Sequence, residues 1–194
     1  MDSATTRAVE EYAKVGLPAD ADAVLLIETD GHAEAAKEDI AKCVEICQRC
    51  KATRVQRAHT ADEREALWKA RRSAMAAITR INPSLIQEDP VVPRSKVADM
   101  AKAVLNIGER YNLHTCSYGH AGDGNLHPSI LTDIRDKDAM KRAREAVKAI
   151  FDCALALGGT LSGEHGIGRE KAPYLRQEVG DVGIATMKAL KDAL

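Results

Sequence analysis

Residues 120–127 read His-Ala-Gly-Asp-Gly-Asn-Leu-His, and this string constrains the surrounding chain more than any other. Extended stretches flank it, His114 to Tyr118 and Asn125 to Leu131, and the central Gly-Asp-Gly marks a tight reversal between them. A straight strand would hold His120 and His127 about 23 Å apart, at about 3.3 Å per residue. A two-residue turn at Asp123-Gly124 removes that separation, because Asp-Gly is a favoured type I′ pair. Counting outward then opposes Gly122 to Asn125, Ala121 to Leu126 and His120 to His127. Directly opposed residues share a face with Cβ atoms about 4.5–5.5 Å apart. The first expectation is therefore an antiparallel hairpin with two imidazoles converging near its tip.

The other segments supply the layers around that hairpin. Ala23 to Ile27, a continuous apolar run, and Thr53 to Ala58, which alternates, both read as strands. Between them residues 32–50 form a helical pattern with Ile40, Cys43, Val44 and Cys47 on one stripe. Thr60-Ala-Asp-Glu63 has the form of a capping box and opens a helix to about Arg80, which Asn82-Pro83 ends. Leu85 to Val92 is extended, and Ser95 is placed to cap a helix with Val97, Met100, Ala101, Val104 and Leu105 on its stripe. A strongly amphipathic helix through Ala143, Ala146, Val147, Ile150, Phe151 and Ala154 stops at Gly158-Gly159. Residues 160–165 are short and extended, and the remainder is helical with a break near Gly180. This order points to the α+β class: an antiparallel sheet with helices packed on one face, in the manner of a ferredoxin-like sandwich.

The second chemically dense string is Gly163-Glu164-His165-Gly166, inside the glycine-rich run 158–168. So many glycines imply unusual dihedrals or close approach of the backbone to another group. A carboxylate added to two imidazoles is the His₂Glu set of an open catalytic metal site. In an extended segment His165 would point away from Glu164. Beside a cation its proton affinity falls, which suits a base near neutral pH. Each residue also has a plainer reading. A lone histidine is usually structural, as His32, His59 and His114 are read here, and a Gly-Asp-Gly tip can be only a turn. Neither string matches a phosphate-binding loop.

Composition narrows the alternatives. A formal net charge of -1 over 194 residues gives no footprint for nucleic acid. No apolar run approaches the roughly 20 residues of a membrane span, and the first residues do not form a signal-peptide core; a cytoplasmic protein is expected. Five cysteines, at positions 43, 47, 50, 116 and 153, are an odd number and argue against a disulfide framework. The first three match no defensible zinc or iron–sulfur spacing and read as apolar helix positions.

The strings Gly119-His-Ala-Gly-Asp-Gly-Asn-Leu-His-Pro128 and Ser162-Gly-Glu-His-Gly-Ile-Gly168, with Leu67-Trp68-Lys-Ala-Arg71 and Glu88-Asp89-Pro-Val-Val-Pro93, resemble the C-terminal domain of FAD-linked oxidases. That group contains a bacterial glycolate oxidase component, D-lactate dehydrogenases and D-2-hydroxyglutarate dehydrogenase. The resemblance implies that His120, His127 and Glu164 ligate a divalent metal (zinc, iron or manganese) and that His165 takes the proton of the substrate hydroxyl. It implies that Arg71 pairs with the carboxylate of a small 2-hydroxyacid, a role suited to a bidentate guanidinium, and that Ser129 contacts substrate. FAD would be seated mainly on a separate N-terminal domain to which nothing here corresponds. The Asn-Pro-Gly segment that ends family members is also missing, so residues 1–194 are expected to be one domain of a larger flavoprotein, inactive alone. Self-association, other subunits of a glycolate oxidase complex and peripheral attachment to the inner membrane through them complete the expected partners. A non-catalytic metal-binding module and a purely structural α+β domain remain the competing readings.

Overall fold

A computed structural model describes all 194 residues, which divide into two compact units, Met1–Ala77 and Ile78–Leu194. The first is built on helices α1 (Ser3–Ala13), α2 (Ala33–Arg49), α3 (Ala61–Arg72) and α4 (Ala74–Ile78), the last ending at the boundary. Asp2 caps α1 through a 2.8 Å bond from the Thr5 amide. The Thr60–Glu63 capping box is complete: Thr60 Oγ1 accepts from the Glu63 amide at 3.2 Å, and Glu63 Oε2 accepts from the Thr60 amide at 3.1 Å. The helix expected to run to Arg80 breaks instead at Ser73, between α3 and α4.

Both strands expected in this unit are absent. Residues 23–27 make a single bridge, Ala23 to Asp2, and Leu25 and Ile27 are 66% and 41% exposed. Residues 53–58 have no regular structure and are mostly exposed. An apolar run becomes a strand only where a neighbouring strand completes its hydrogen bonds, and here no second strand accompanies either segment. On α2 the stripe Ile40, Cys43, Val44 and Cys47 falls on the more protected side but is only half-buried.

The second unit contains β1 (Ser84–Gln87), α5 (Val97–Arg110), β2 (His114–His120), β3 (Asn125–Thr132), α6 (Lys137–Ala156) and α7 (Ala172–Ala193). A 3-10 turn at Arg94–Lys96 precedes α5, so Ser95 lies inside that turn instead of capping the helix. The sheet is antiparallel with order β1-β3-β2, and the α+β class is as expected, with three strands. Leu126 and Ile130 of β3 and Ile86 of β1 pack against Met100, Val104 and Ile107 of α5 and Ala143, Ala146, Ile150 and Phe151 of α6. Burying a side chain the size of Ile130 contributes about 1.5–3 kcal/mol. Because strand residues alternate, this core on one face sends Asn125, His127 and Ser129 to the other. Gly180, at φ 67 and ψ -178, breaks α7 where a polar interruption was expected.

Candidate functional site

The hairpin forms, with a register different from the one that a two-residue turn would give. Tyr118 opposes His127, Gly119 opposes Leu126 and His120 opposes Asn125. Residues 121–123 make a 3-10 turn closed by Gly124 at φ 79. The four-residue loop is selected from outside: Val92 donates its amide to the Gly124 oxygen at 3.0 Å. A Cβ on Gly124 would stand 2.0 Å from the Val92 carbonyl oxygen, so only glycine fits. The two-residue shift keeps side-chain parity, and His120 and His127 are diagonal neighbours on one face. Their ring centroids are 5.4 Å apart and their planes 85° apart.

Beyond β1 the chain continues along β3 in the same register. Glu88 donates to Pro128 at 2.9 Å, Leu126 to Pro90 at 3.1 Å and Val92 to Gly124, while Val91 bridges Asn125. Asp89 is thereby set opposite His127. The outer edge of this segment pairs with the chain after α6, through mutual Val91–Thr160 bonds of 3.1 and 2.9 Å and a Gly163-to-Asp89 bond of 2.9 Å. From α7, Glu178 accepts from the Leu161 amide at 3.1 Å. Gly163 permits the approach, since a Cβ there would lie 2.4 Å from Asn125 Nδ2.

The result is a tight cluster of donor atoms. Glu164 Oε1 lies 3.1 Å from His127 Nε2, 3.5 Å from His120 Nε2 and 3.7 Å from His165 Nε2. His165 stacks on His127 with centroids 5.1 Å apart and planes 3° apart. The expectation that His165 turns away from Glu164 is therefore corrected. Residues 163–165 bend, and the alternation of an extended strand does not apply. Burial pushes the His127 imidazole below its ordinary pKa, His165 and His120 add to this, and Asp89 and Glu164 oppose it. A neutral imidazole is the form that can ligate a cation. His127 is buried, whereas His120, Glu164 and His165 are about half exposed, so the cluster opens to one side.

This donor set fits a divalent ion. Two ligands each about 2.1 Å from one metal stand about 3.4 Å apart in a tetrahedron, within the range of the separations just given. Asp89, His127, Glu164 and His165 also offer ligand atoms within 4.8 Å of one another. Ser129 lies two residues beyond His127 on the same face of β3, fully buried, with no hydrogen-bond partner for its Oγ. The cluster is drawn from the second unit alone, and Arg71 is a residue of α3 in the first.

Sequence reasoning missed Asp89 and Lys171. Asp89 is fully buried. Burial would raise its carboxyl, but hydrogen bonds from the His165 amide, Asn125, the Glu164 amide and Ser162 hold it well below the usual carboxylate range. Lys171 is buried beside it, with Nζ 3.2 Å from Ser162 Oγ and 3.8 Å from Asp89 Oδ2. Adjacent Glu88 is raised to about 7 by burial, against the pull of Lys171 and with the help of Asp89. The available signal was two consecutive carboxylates inside an otherwise apolar extended stretch, Leu85 to Val92, where acidic residues are rare unless partnered.

An α+β domain with a His/Glu cluster beside a hairpin tip is thus the class that fold and site define. The chain belongs to the family described as FAD linked oxidases, C-terminal domain, whose model matches residues 1–194. It is 50% identical over 193 residues to glycolate oxidase subunit GlcD of Bacillus subtilis, covering 100% of this chain and 41% of that protein. The corresponding Escherichia coli K12 protein is 35% identical over 193 residues, at 100% and 39% coverage. A probable mitochondrial D-lactate dehydrogenase of Danio rerio is 33% identical over 172 residues, at 88% and 35% coverage. The chain therefore spans about two fifths of the length of the two glycolate oxidase subunits. No helix is long and apolar enough to cross a membrane.

Proposed function

We propose that this chain is the substrate- and metal-binding domain of a flavin-dependent dehydrogenase that oxidises a small 2-hydroxyacid of the glycolate or D-lactate type. The observation that carries the reading is the convergence of three imidazole nitrogens on Glu164 Oε1 at 3.1–3.7 Å. The names of the relatives supply the substrate class.

His120, His127 and Glu164 would hold the ion, which supplies Lewis acidity toward the substrate hydroxyl and carboxylate. FAD, held mainly by another domain, supplies the hydride acceptor. His165 remains available as the proton acceptor: its ring is held against His127, and its half-exposed edge can meet a substrate hydroxyl from the open side. Arg71 would pair with the substrate carboxylate and Ser129 would donate or accept one hydrogen bond, both on the strength of the sequence resemblance. The domain would work as part of a homo-oligomer or of a glycolate oxidase complex, in the cytoplasm or attached to the inner membrane through its partners.

Metal analysis of untagged intact protein, followed by assay with FAD, a 2-hydroxyacid and an artificial electron acceptor, tests the reading. Bound metal with turnover of glycolate or D-lactate is expected. Bound metal without turnover of any 2-hydroxyacid would favour a non-catalytic metal module. Residues 1–194 alone are expected to give no turnover, and light scattering on them is expected to show self-association.

A further inference from the structure

We propose that Asp89 is a positioning residue, whose carboxylate holds Glu164, His165 and His127 in one arrangement. The proposal deepens the metal-site reading and rests on it for its functional meaning. Asp89 itself lies outside the three ligands named above, and its contacts divide between its two oxygens.

Oδ2 faces the Ser162–His165 bend and accepts from Ser162 Oγ at 2.8 Å and from the amides of Gly163, Glu164 and His165 at 3.0, 2.9 and 2.8 Å. Three successive amides directed at one oxygen form a backbone nest, a concavity that requires the chain to curl around an anion. That curl is what places two consecutive side chains on the same cluster, contrary to strand alternation. Oδ1 faces the hairpin: it accepts from Asn125 Nδ2 at 2.7 Å and lies 3.5 Å from His127 Nδ1. His127 Nδ1 is buried with no hydrogen-bond partner, and Asp89 is the acid the structure sets against it. One buried carboxylate thus joins the two strings, which lie about forty positions apart in sequence. A ligating histidine commonly directs its second nitrogen to a carboxylate, and such partners govern how well the ligands meet the metal.

The test uses intact protein, Asp89→Asn, Glu164→Gln and the double variant, titrated with Co²⁺ while its visible absorption is followed. Asp89→Asn should weaken Co²⁺ binding about 10–100-fold and change the band shape, with the far-UV circular dichroism unchanged. If Asp89 acts through Glu164, the same change should cost much less in the Glu164→Gln background, because effects within one unit are not additive. Unchanged affinity in Asp89→Asn, or losses that simply multiply in the double variant, would overturn the proposal. Amide exchange in the unsubstituted protein gives an answer independent of any variant's folding and of metal. The Gly163, Glu164 and His165 amides should exchange slowly although the Glu164 and His165 side chains are half exposed, and fast exchange would overturn the proposal. If Co²⁺ does not bind the unsubstituted protein while these amides are protected, the metal reading fails and the Asp89 nest stands.

Discussion

The imidazoles of His127 and His165 lie parallel, 5.1 Å apart, and both present Nε2 to the same oxygen of Glu164. The distances nevertheless rank them, 3.1 Å for His127 against 3.7 Å for His165. Glu164→Gln is expected to lower metal content and to be partly rescued by added metal. His165→Ala is expected to keep its metal and lose about 10²–10⁴ in turnover, the usual worth of a positioned general base. Metal analysis beside steady-state rates separates the two, and equal metal loss would make His165 a ligand.

On the proposed metal reading, removal of the ion should be visible in stability. A ligand bound only to the folded state at a hundred times its dissociation constant adds about 2.7 kcal/mol. Chelation is expected to lower Tm and divalent zinc or manganese to restore it. A double His120→Ala, His127→Ala variant should melt at one temperature with or without metal.

Glu88 should give the fold an unusual pH profile. Its carboxyl is raised to about 7 in the folded state, against about 4.3 in an unfolded chain. A raised value means that the folded state binds the proton more tightly. The contribution is full below about pH 4.3 and is lost as pH rises through 7, on the order of 4 kcal/mol in all. Asp89 acts in the opposite sense: its depressed value contributes above about pH 3.9, the unfolded value, and is lost as pH falls. Urea denaturation from pH 5 to 8 should show stability falling in the parent and a flatter profile in Glu88→Gln.

Two glycines of the hairpin loop should respond very differently to one methyl group. Gly124→Ala forces an L side chain to φ 79 and into the Val92 carbonyl oxygen, for about 2–4 kcal/mol. Gly122 has nothing within 4 Å of a Cβ, and Gly122→Ala should stay within about 0.5 kcal/mol. Thermal melts of both variants check the contrast.

In the core, Phe151 is fully buried and meets Tyr174 with ring centroids 5.0 Å apart. Phe151→Ala should cost about 3–5 kcal/mol. Because the site lies on the opposite face of the sheet, the same variant should keep its metal affinity at temperatures where it remains folded.

The parts legible in the sequence were those whose signal is local. The capping box at Thr60, the apolar stripe of α6 and the reversal at residues 121–124 each rest on residues within a few positions of one another. The hairpin register came out two residues off because the contact that selects the longer loop comes from Val92, some thirty positions upstream. Residues 23–27 carry a strand's composition without a strand to pair with. Asp89 was hidden for a related reason: its donors to Oδ2 lie 73 to 76 residues away, and three of them are backbone amides. An amide is the same in every residue, so no side-chain pattern announces it.

The alternation along β3 has a further consequence for how the cluster is protected. Leu126 and Ile130 face the helices while His127 and Ser129 face the other way. Sliding β3 by one position would drive His127 into the apolar core and put Leu126 or Pro128 in its place. The greasy side of the strand therefore works as a detent for the polar side. Substitutions that touch none of the clustered side chains, such as Ile130→Thr, should loosen the His127–Glu164 arrangement by letting the strand slip before they unfold the domain.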